Sequence, residues 1–266
     1  MTQVRTALIC HHDAPLHGEG ITRWLASWSD LVAIVVITEP RTMLRKRLVR
    51  EFQRVGVLRL LDVLAARLYF RVANAGADQA FVETRLAALR ELFPPVSPEV
   101  PVLHVTSPND ARCQELLERV SPDVTLALCK NMLASRIFRT ARAGTIVLHP
   151  GICPEYRNSH GCFWAMARND LSRVGMTMLR IDEGVDTGPV FGYFTAPYDE
   201  VKESHVVIQH RMVLDNLPSI AARLSEVARG DAVPLSTAGR TSRAWGQPWL
   251  TAYVRWKRRA RARHRA

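Results

Sequence analysis

The stretch VLHVTSPNDARCQELLERVSPDVTLALCKNMLASRIFRTARAGTIVLH, residues 102–149, alternates short apolar runs with amphipathic ones. It reads as strand 102–105, helix 110–120, strand 123–129, helix 132–140 and strand 145–149. Five alternating elements are the pattern of an α/β fold with a parallel sheet. Ser107, Pro108 and Asn109 supply N-cap chemistry before the first helix, and Gly144 is a stop after the second. Working outward, the N-terminal side repeats the theme: an apolar run at 6–10, a polar loop at 11–20, a helical stretch through Trp24 and Leu25, and a β-branched run at 31–38. On the other side, a strand pair at 175–181 and 189–195 precedes one long helix expected over 204–229. The fold class is therefore α/β, a Rossmann-like open and mostly parallel sheet.

Between the two blocks, Leu44, Leu48, Phe52, Val55, Leu58, Leu61, Leu64 and Leu68 recur at three- and four-residue steps. Arg45, Lys46, Arg47, Arg50 and Arg54 fall mainly on other faces, so residues 41–98 read as a basic, amphipathic helical insertion, broken at Gly56. Residues 1–229 form the expected catalytic domain around this insertion. Residues 230–266 form a C-terminal extension with an Arg-rich tail.

The chain of 266 residues is 47% hydrophobic and 23% charged, the balance of a globular protein with a buried core. No apolar run approaches the roughly 20 residues that span a bilayer, and residues 1–13 lack the layout of a signal peptide, so a cytoplasmic protein is expected. Five cysteines without a C-x-x-C pair suit reduced thiols rather than a disulfide framework or zinc site. The net charge of +11 is concentrated in two segments. Residues 41–72 hold nine Lys or Arg against Glu51 and Asp62, and residues 255–265 hold seven with no acid.

Two clusters can carry chemistry. In Leu148-His149-Pro150-Gly151-Ile152-Cys153-Pro154-Glu155-Tyr156-Arg157-Asn158, His149 lies at the end of a parallel strand, where ligands of open α/β sheets sit. The competing reading is a strand-end histidine bonded to a neighbouring carbonyl. In Asp182-Glu183-Gly184-Val185-Asp186-Thr187-Gly188, three acids fall within five residues of a tight loop whose spacing does not match a calcium loop. The alternative there is a polar hairpin.

Together these clusters resemble the 10-formyltetrahydrofolate-dependent formyltransferases, which include methionyl-tRNA, glycinamide ribonucleotide and amino-sugar formyltransferases. Ser121-Pro122-Asp123-Val124 looks like the family's strand entry. His149-Pro150 with Pro154-Glu155-Tyr156-Arg157 resembles its H-P-x-x-L-P-x-Y-R-G stretch, and Asp186-Thr187-Gly188 its D-x-G loop. Phe163-Trp164-Ala165-Met166 sits where family members begin a helix with N-W-A-I. The resemblance implies a formyltransferase-type sheet and transfer of a formyl group from 10-formyltetrahydrofolate to an amine of a sugar or specialised metabolite. It also implies catalytic roles for His149 and Asp186.

The family's third catalytic residue, an Asn two positions before the His, is Val147 here. Valine offers no donor, so Asn158, His160 and Asn131 are the substitutes closest to the motifs. His160 begins a helix, where a neutral imidazole is favoured and a capping or packing role competes with a catalytic one. Cys162 beside it reads as a buried small residue. The resemblance places the folate against Leu128, Cys129, Met132 and Leu133 and against Asp182, Glu183, Gly184 and Val185. The loop of His11, His12 and His17 reads as polar loop rather than metal site, and no metal is expected. That loop lacks the glycines that cradle a phosphate, which disfavours a phosphoribosyl acceptor.

Other readings of the same residues are a hydrolase, in which His149 and Asp186 activate water, and a catalytically silent folate- or ligand-binding protein. The chain has no room for the barrel domain of methionyl-tRNA formyltransferases, so tRNA and other nucleic acids are not expected partners; the expected acceptor is a small-molecule amine. Trp249, Tyr253 and Trp256 interleave with Arg255 and the basic run 257–259 in the tail. With the Leu stripe of 41–72, this suggests peripheral contact with an anionic membrane at its inner surface. A solvated charged face is the plainer alternative.

Overall fold

The computed structural model describes residues 3–40 and 42–265, with the side chains of 42–52, 54 and 55 outside the described set. The elements run β1 (Arg5–His11), α1 (Thr22–Trp28), β2 (Asp30–Ile37), α2 (Thr42–Tyr69), α3 (Ala75–Leu92), β3 (Val102–Val105), α4 (Ala111–Val120), β4 (Val124–Leu128), α5 (Ser135–Phe138) and β5 (Thr145–His149). They continue with β6 (Arg157–Asn158), α6 (Gly161–Ala167), β7 (Met176–Arg180), β8 (Val190–Phe194), α7 (His205–Leu214), α8 (Leu217–Arg229), β9 (Ala244–Trp245) and α9 (Leu250–Arg265).

Seven strands form one sheet in the order β3-β2-β1-β4-β5-β7-β8. The first five are mutually parallel, and β7 and β8 extend the edge as antiparallel strands. The chain moves outward from β1 to β3, then returns to the other side of β1 with β4. That reversal puts a crevice outside the carboxyl ends of β1 and β4. Strand side chains alternate between two cores. Leu8 and Cys10 face a large cluster with α6, α7, α8 and α9, whereas Ala7 and Ile9 face a smaller one with α4 and α5. Both faces of the sheet are covered, which is why its strands read as unbroken apolar runs.

Three expectations are corrected. The helix expected at 132–140 shrinks to α5, because Asn109 holds the preceding chain out of helix: its amide donates to the Met132 carbonyl and accepts from the Ala134 N–H. The single helix expected at 204–229 is two, α7 and α8, parted at Asp215 and Asn216. Pro218 lies in the first turn of α8, where its missing N–H costs nothing, but it cannot continue a helix from before. The tail aromatics, thought suited to a membrane, belong to the protein's own interior. Tyr253 and Trp256 are buried in the large core, and Trp256 donates to Glu200 at 2.9 Å.

The break at Gly56 is present, with φ 75° and ψ 175° inside α2. The first half of the apolar stripe, Leu44, Leu48, Phe52 and Val55, and the basic run Arg45 to Arg54 fall on side chains outside the described residues. The second half, Leu58, Leu61, Leu64 and Leu68, faces solvent rather than the domain. No helix among the described residues is long and apolar enough to cross a membrane.

Candidate active site

Strand β5 ends at His149, and Pro150-Gly151 turns the chain away. The imidazole is buried and held at both nitrogens: Nε2 lies 2.7 Å from the Tyr156 carbonyl oxygen, and Nδ1 lies 3.3 Å from Asp186 Oδ2. A carbonyl only accepts, so Nε2 carries a proton and donates it. The reading of His149 as a strand-end histidine bonded to a neighbouring carbonyl is met on one nitrogen, and the other faces the Asp186 carboxylate.

Asp186 reaches the ring from a loop that braces itself. Asp182 Oδ1 accepts from the Gly184 N–H and the Thr187 hydroxyl, and Asp186 itself adopts φ 51°, a left-handed conformation that Asp tolerates better than most residues. The Asn158 N–H donates to Asp186 Oδ2 at 2.7 Å, and Arg157 donates to the Val185 carbonyl at 2.7 Å. The two motifs, nearly thirty residues apart, are therefore fastened together by their own polar groups.

Two glycines permit the approach. A Cβ on Gly161 would sit 2.4 Å from the Gly151 Cα and 2.7 Å from the Tyr156 carbonyl oxygen. A Cβ on Gly151 would sit 2.9 Å from His149 Nε2. These neighbours of Gly161 are backbone atoms that cannot rotate away. Gly161→Ala is therefore expected to destabilise the fold by about 1–3 kcal/mol and to displace His149, read as a lower thermal midpoint together with lost turnover. An unchanged midpoint would mean the loop opens freely.

The substitutes for the absent amide fare differently. Val147 packs with Cys153, Leu179, Val190 and Tyr193, so that position is apolar packing. The Asn158 amide donates to the Trp245 carbonyl at 2.5 Å, joining β6 to β9, and what Asn158 offers Asp186 is its backbone N–H. Asn131 has a buried Oδ1 with no partner among the described residues.

His160 precedes α6 with φ 55°, makes no side-chain cap bond, and has an Nδ1 with no partner. Its other nitrogen pairs with the Gln247 side chain. Burial, helped by Lys130 and Arg67, pulls its pKa down to about 4, so the ring is neutral at pH 7. Cys162 donates to the Gly175 carbonyl, and burial pushes its thiol up to about 12, as suits packing rather than nucleophilic attack.

The residues assigned to the folate lie on two segments. Leu128 and Leu133 are buried, one in each core, while Met132 is largely exposed between them. Burial pushes the Cys129 thiol up to about 11. On the acidic loop, Glu183 pairs with Arg139 at 2.9 Å, which draws the loop toward the end of α5, and Val185 is exposed. Asp182 and Gly184 are engaged in the turn described above.

His11, read from the sequence as part of a polar loop, is instead the buried last residue of β1, and other contributors to the site carried no local signal. The Lys130 N–H donates to His11 Nε2 at 3.0 Å, bridging β1 and β4 at the switch point. His17 is half-buried, and its pKa is drawn down to about 3 by desolvation and by His210, Lys130 and His11. Arg67 of α2, Gln247 and His205 complete the surroundings of His160. Each comes from a segment distant in sequence. Among the described residues, no group of three or more His, Cys, Asp or Glu is arranged to hold a metal ion.

Comparison with known proteins gives the chain a family. The formyl transferase family model matches residues 77–212, half of the chain, and the chain belongs to that family. Methionyl-tRNA formyltransferase of Syntrophus aciditrophicus is 32% identical over 93 residues, covering 35% of this chain and 30% of that protein. The corresponding protein of Chlorobium chlorochromatii is 26% identical over 165 residues, covering 58% and 52%. The chain thus spans about half the length of these relatives, or less. In fold it is similar to phosphoribosylglycinamide formyltransferase from Anaplasma phagocytophilum, with TM-score 0.55 at 12% identity over 94% of this chain and 98% of that one. It is also similar to a sugar N-formyltransferase from a Shewanella species, with TM-score 0.53 at 12% identity over 95% and 87%.

Proposed function

We propose that the protein transfers a formyl group from 10-formyltetrahydrofolate to the amine of a small molecule, an amino sugar or a comparable specialised metabolite. The observation that carries this reading is the His149–Asp186 pair at the carboxyl end of β5, beside the switch-point crevice. The folate would lie against the segment from Leu128 to Leu133 and against the loop from Asp182 to Val185. The orphaned Asn131 Oδ1, on the first of these segments, is an acceptor suited to the amino group of a pterin. Bound there, the folate supplies an activated formyl carbon.

The protein's own groups do the rest. Asp186 Oδ2 is occupied by the Asn158 N–H and His149, leaving Oδ1 to receive a proton from the attacking amine, directly or through a water, and to return it to the donor nitrogen released when its bond to the formyl carbon breaks. His149 holds that carboxylate in place through Nδ1, and its Nε2–H can reach an oxygen that gains negative charge only by exchanging the Tyr156 carbonyl for it. His160, neutral and with an unpaired Nδ1, provides the second donor that Val147 cannot, in the tautomer that places its proton on Nδ1. Removal of one such donor typically costs about 10²–10³ in rate.

Donor binding and chemistry are separable on this reading. Calorimetry should show 10-formyltetrahydrofolate binding to the wild type and to His149→Ala alike, with turnover confined to the wild type. Absence of binding heat in the wild type would remove the folate from the account.

A further inference from the structure

We propose that the outer face shared by α2 and α9 docks on an anionic lipid bilayer. Along α2, Val57, Leu61, Leu64 and Leu68 follow one another at steps of three and four, so they form one stripe, widened by Leu58 and continued by Val72 just past the helix end. They are open to solvent: Leu58 is 85% exposed, Leu68 65% and Val72 78%. The opposite side of the same helix does its packing. Val63 and Ala66 are buried there, and Asp62 accepts from the N–H and hydroxyl of Thr251 at the start of α9. A contiguous apolar stripe of this kind on a soluble surface marks an interaction site.

Helix α9 sorts its cations in two. Lys257 turns inward to the carbonyls of Glu200 and Glu203, Arg259 to the Ala167 carbonyl, and Arg263 to Glu200 and Asn169. Arg255, Arg258, Arg261 and Arg265 remain on the exposed face, with no ion pair among the described residues. A surface groove runs beside this row, lined by Tyr69, Ala73 and Asn74 just past the end of the stripe and by Val254, Arg258 and Arg261 of α9. Asp78 lies in the same groove, where burial raises its pKa and Lys202 and Lys257 also line the walls.

Charge selects the occupant. A second copy of the chain would set one cation row against another, in a protein of net charge +11. Nucleic acid would use the arginines but leave the leucines in water. An anionic bilayer satisfies both, apolar side chains entering the headgroup boundary and guanidinium groups meeting lipid phosphates. The basis differs from the sequence expectation, since Tyr253 and Trp256 face inward and take no part.

Co-sedimentation with vesicles tests this, using phosphatidylcholine alone and phosphatidylcholine mixed with phosphatidylglycerol. The full chain should pellet with the mixed vesicles at low salt, stay in solution with phosphatidylcholine, and be released at high salt. Arg258→Glu with Arg261→Glu should weaken partitioning by roughly tenfold or more. Leu61→Ser with Leu68→Ser should weaken it as well, and because these side chains are exposed, circular dichroism should be unchanged. Failure of the wild type to pellet, or equal pelleting with both vesicle types, would overturn the proposal. So would a dimer in light scattering that the serine pair dissociates while vesicle binding is absent.

Discussion

Turnover is expected to fall by about 10² or more in both His149→Ala and Asp186→Asn, with little change in stability for the second. The asparagine keeps the size of the carboxylate and can still accept from the Asn158 N–H, so the loop stays closed. What it loses is the charge facing His149 Nδ1 and the capacity to take a proton. The alanine removes the ring that fixes the carboxylate, and it also frees the Tyr156 carbonyl that Nε2 now satisfies. Its loss of rate therefore carries a structural component that the asparagine's does not, and a thermal melt run beside the kinetics separates the two. Near-native turnover in the well-folded Asp186→Asn protein would take Asp186 out of the chemistry.

The largest effect on stability is expected at Trp256→Ala, about 3–5 kcal/mol. The indole is fully buried between Phe163 and Tyr253, with ring centroids 6.3 and 5.4 Å away, and its N–H bonds Glu200. Truncation opens a cavity at the joint of α6 and α9 and leaves the Glu200 carboxylate with one donor fewer. Chemical denaturation of the variant measures the loss. A change within about 0.5 kcal/mol, the range of ordinary surface substitutions, would show that α9 is dispensable to the fold.

The parallel sheet was legible because both of its faces are covered: strands such as 124–128 are buried at every position and, Thr125 apart, apolar, and they stand apart from the amphipathic α4. His149 and Asp186 were legible because each sits among residues that force a turn. The contribution of residues 240–247 was not. Arg240 grips Glu155 with two hydrogen bonds, Trp245 donates to the Glu155 carbonyl, and Trp164 donates to the Gly246 carbonyl. These bonds buttress the Pro154-Glu155-Tyr156-Arg157 loop from some ninety residues away, and nothing local marks a side chain for a partner so distant. The inward face of α9 was misread for the same reason. An aromatic and cationic helix has the same pattern whether its rings enter a bilayer or its own core, and only the packing of α6 and α9 decides between them. The half-exposed Leu stripe of α2 shows the reverse, an apolar periodicity that the domain does not use.

The central claim is formyl transfer to an amine, and mass spectrometry of candidate amino sugars incubated with the protein and isotopically labelled 10-formyltetrahydrofolate tests it most directly. The account predicts an amine heavier by one labelled formyl group, formed by the wild type and lost in Asp186→Asn. Labelled formate released at the same rate with or without amine, and no formylated amine, would contradict it and assign His149 and Asp186 to the activation of water.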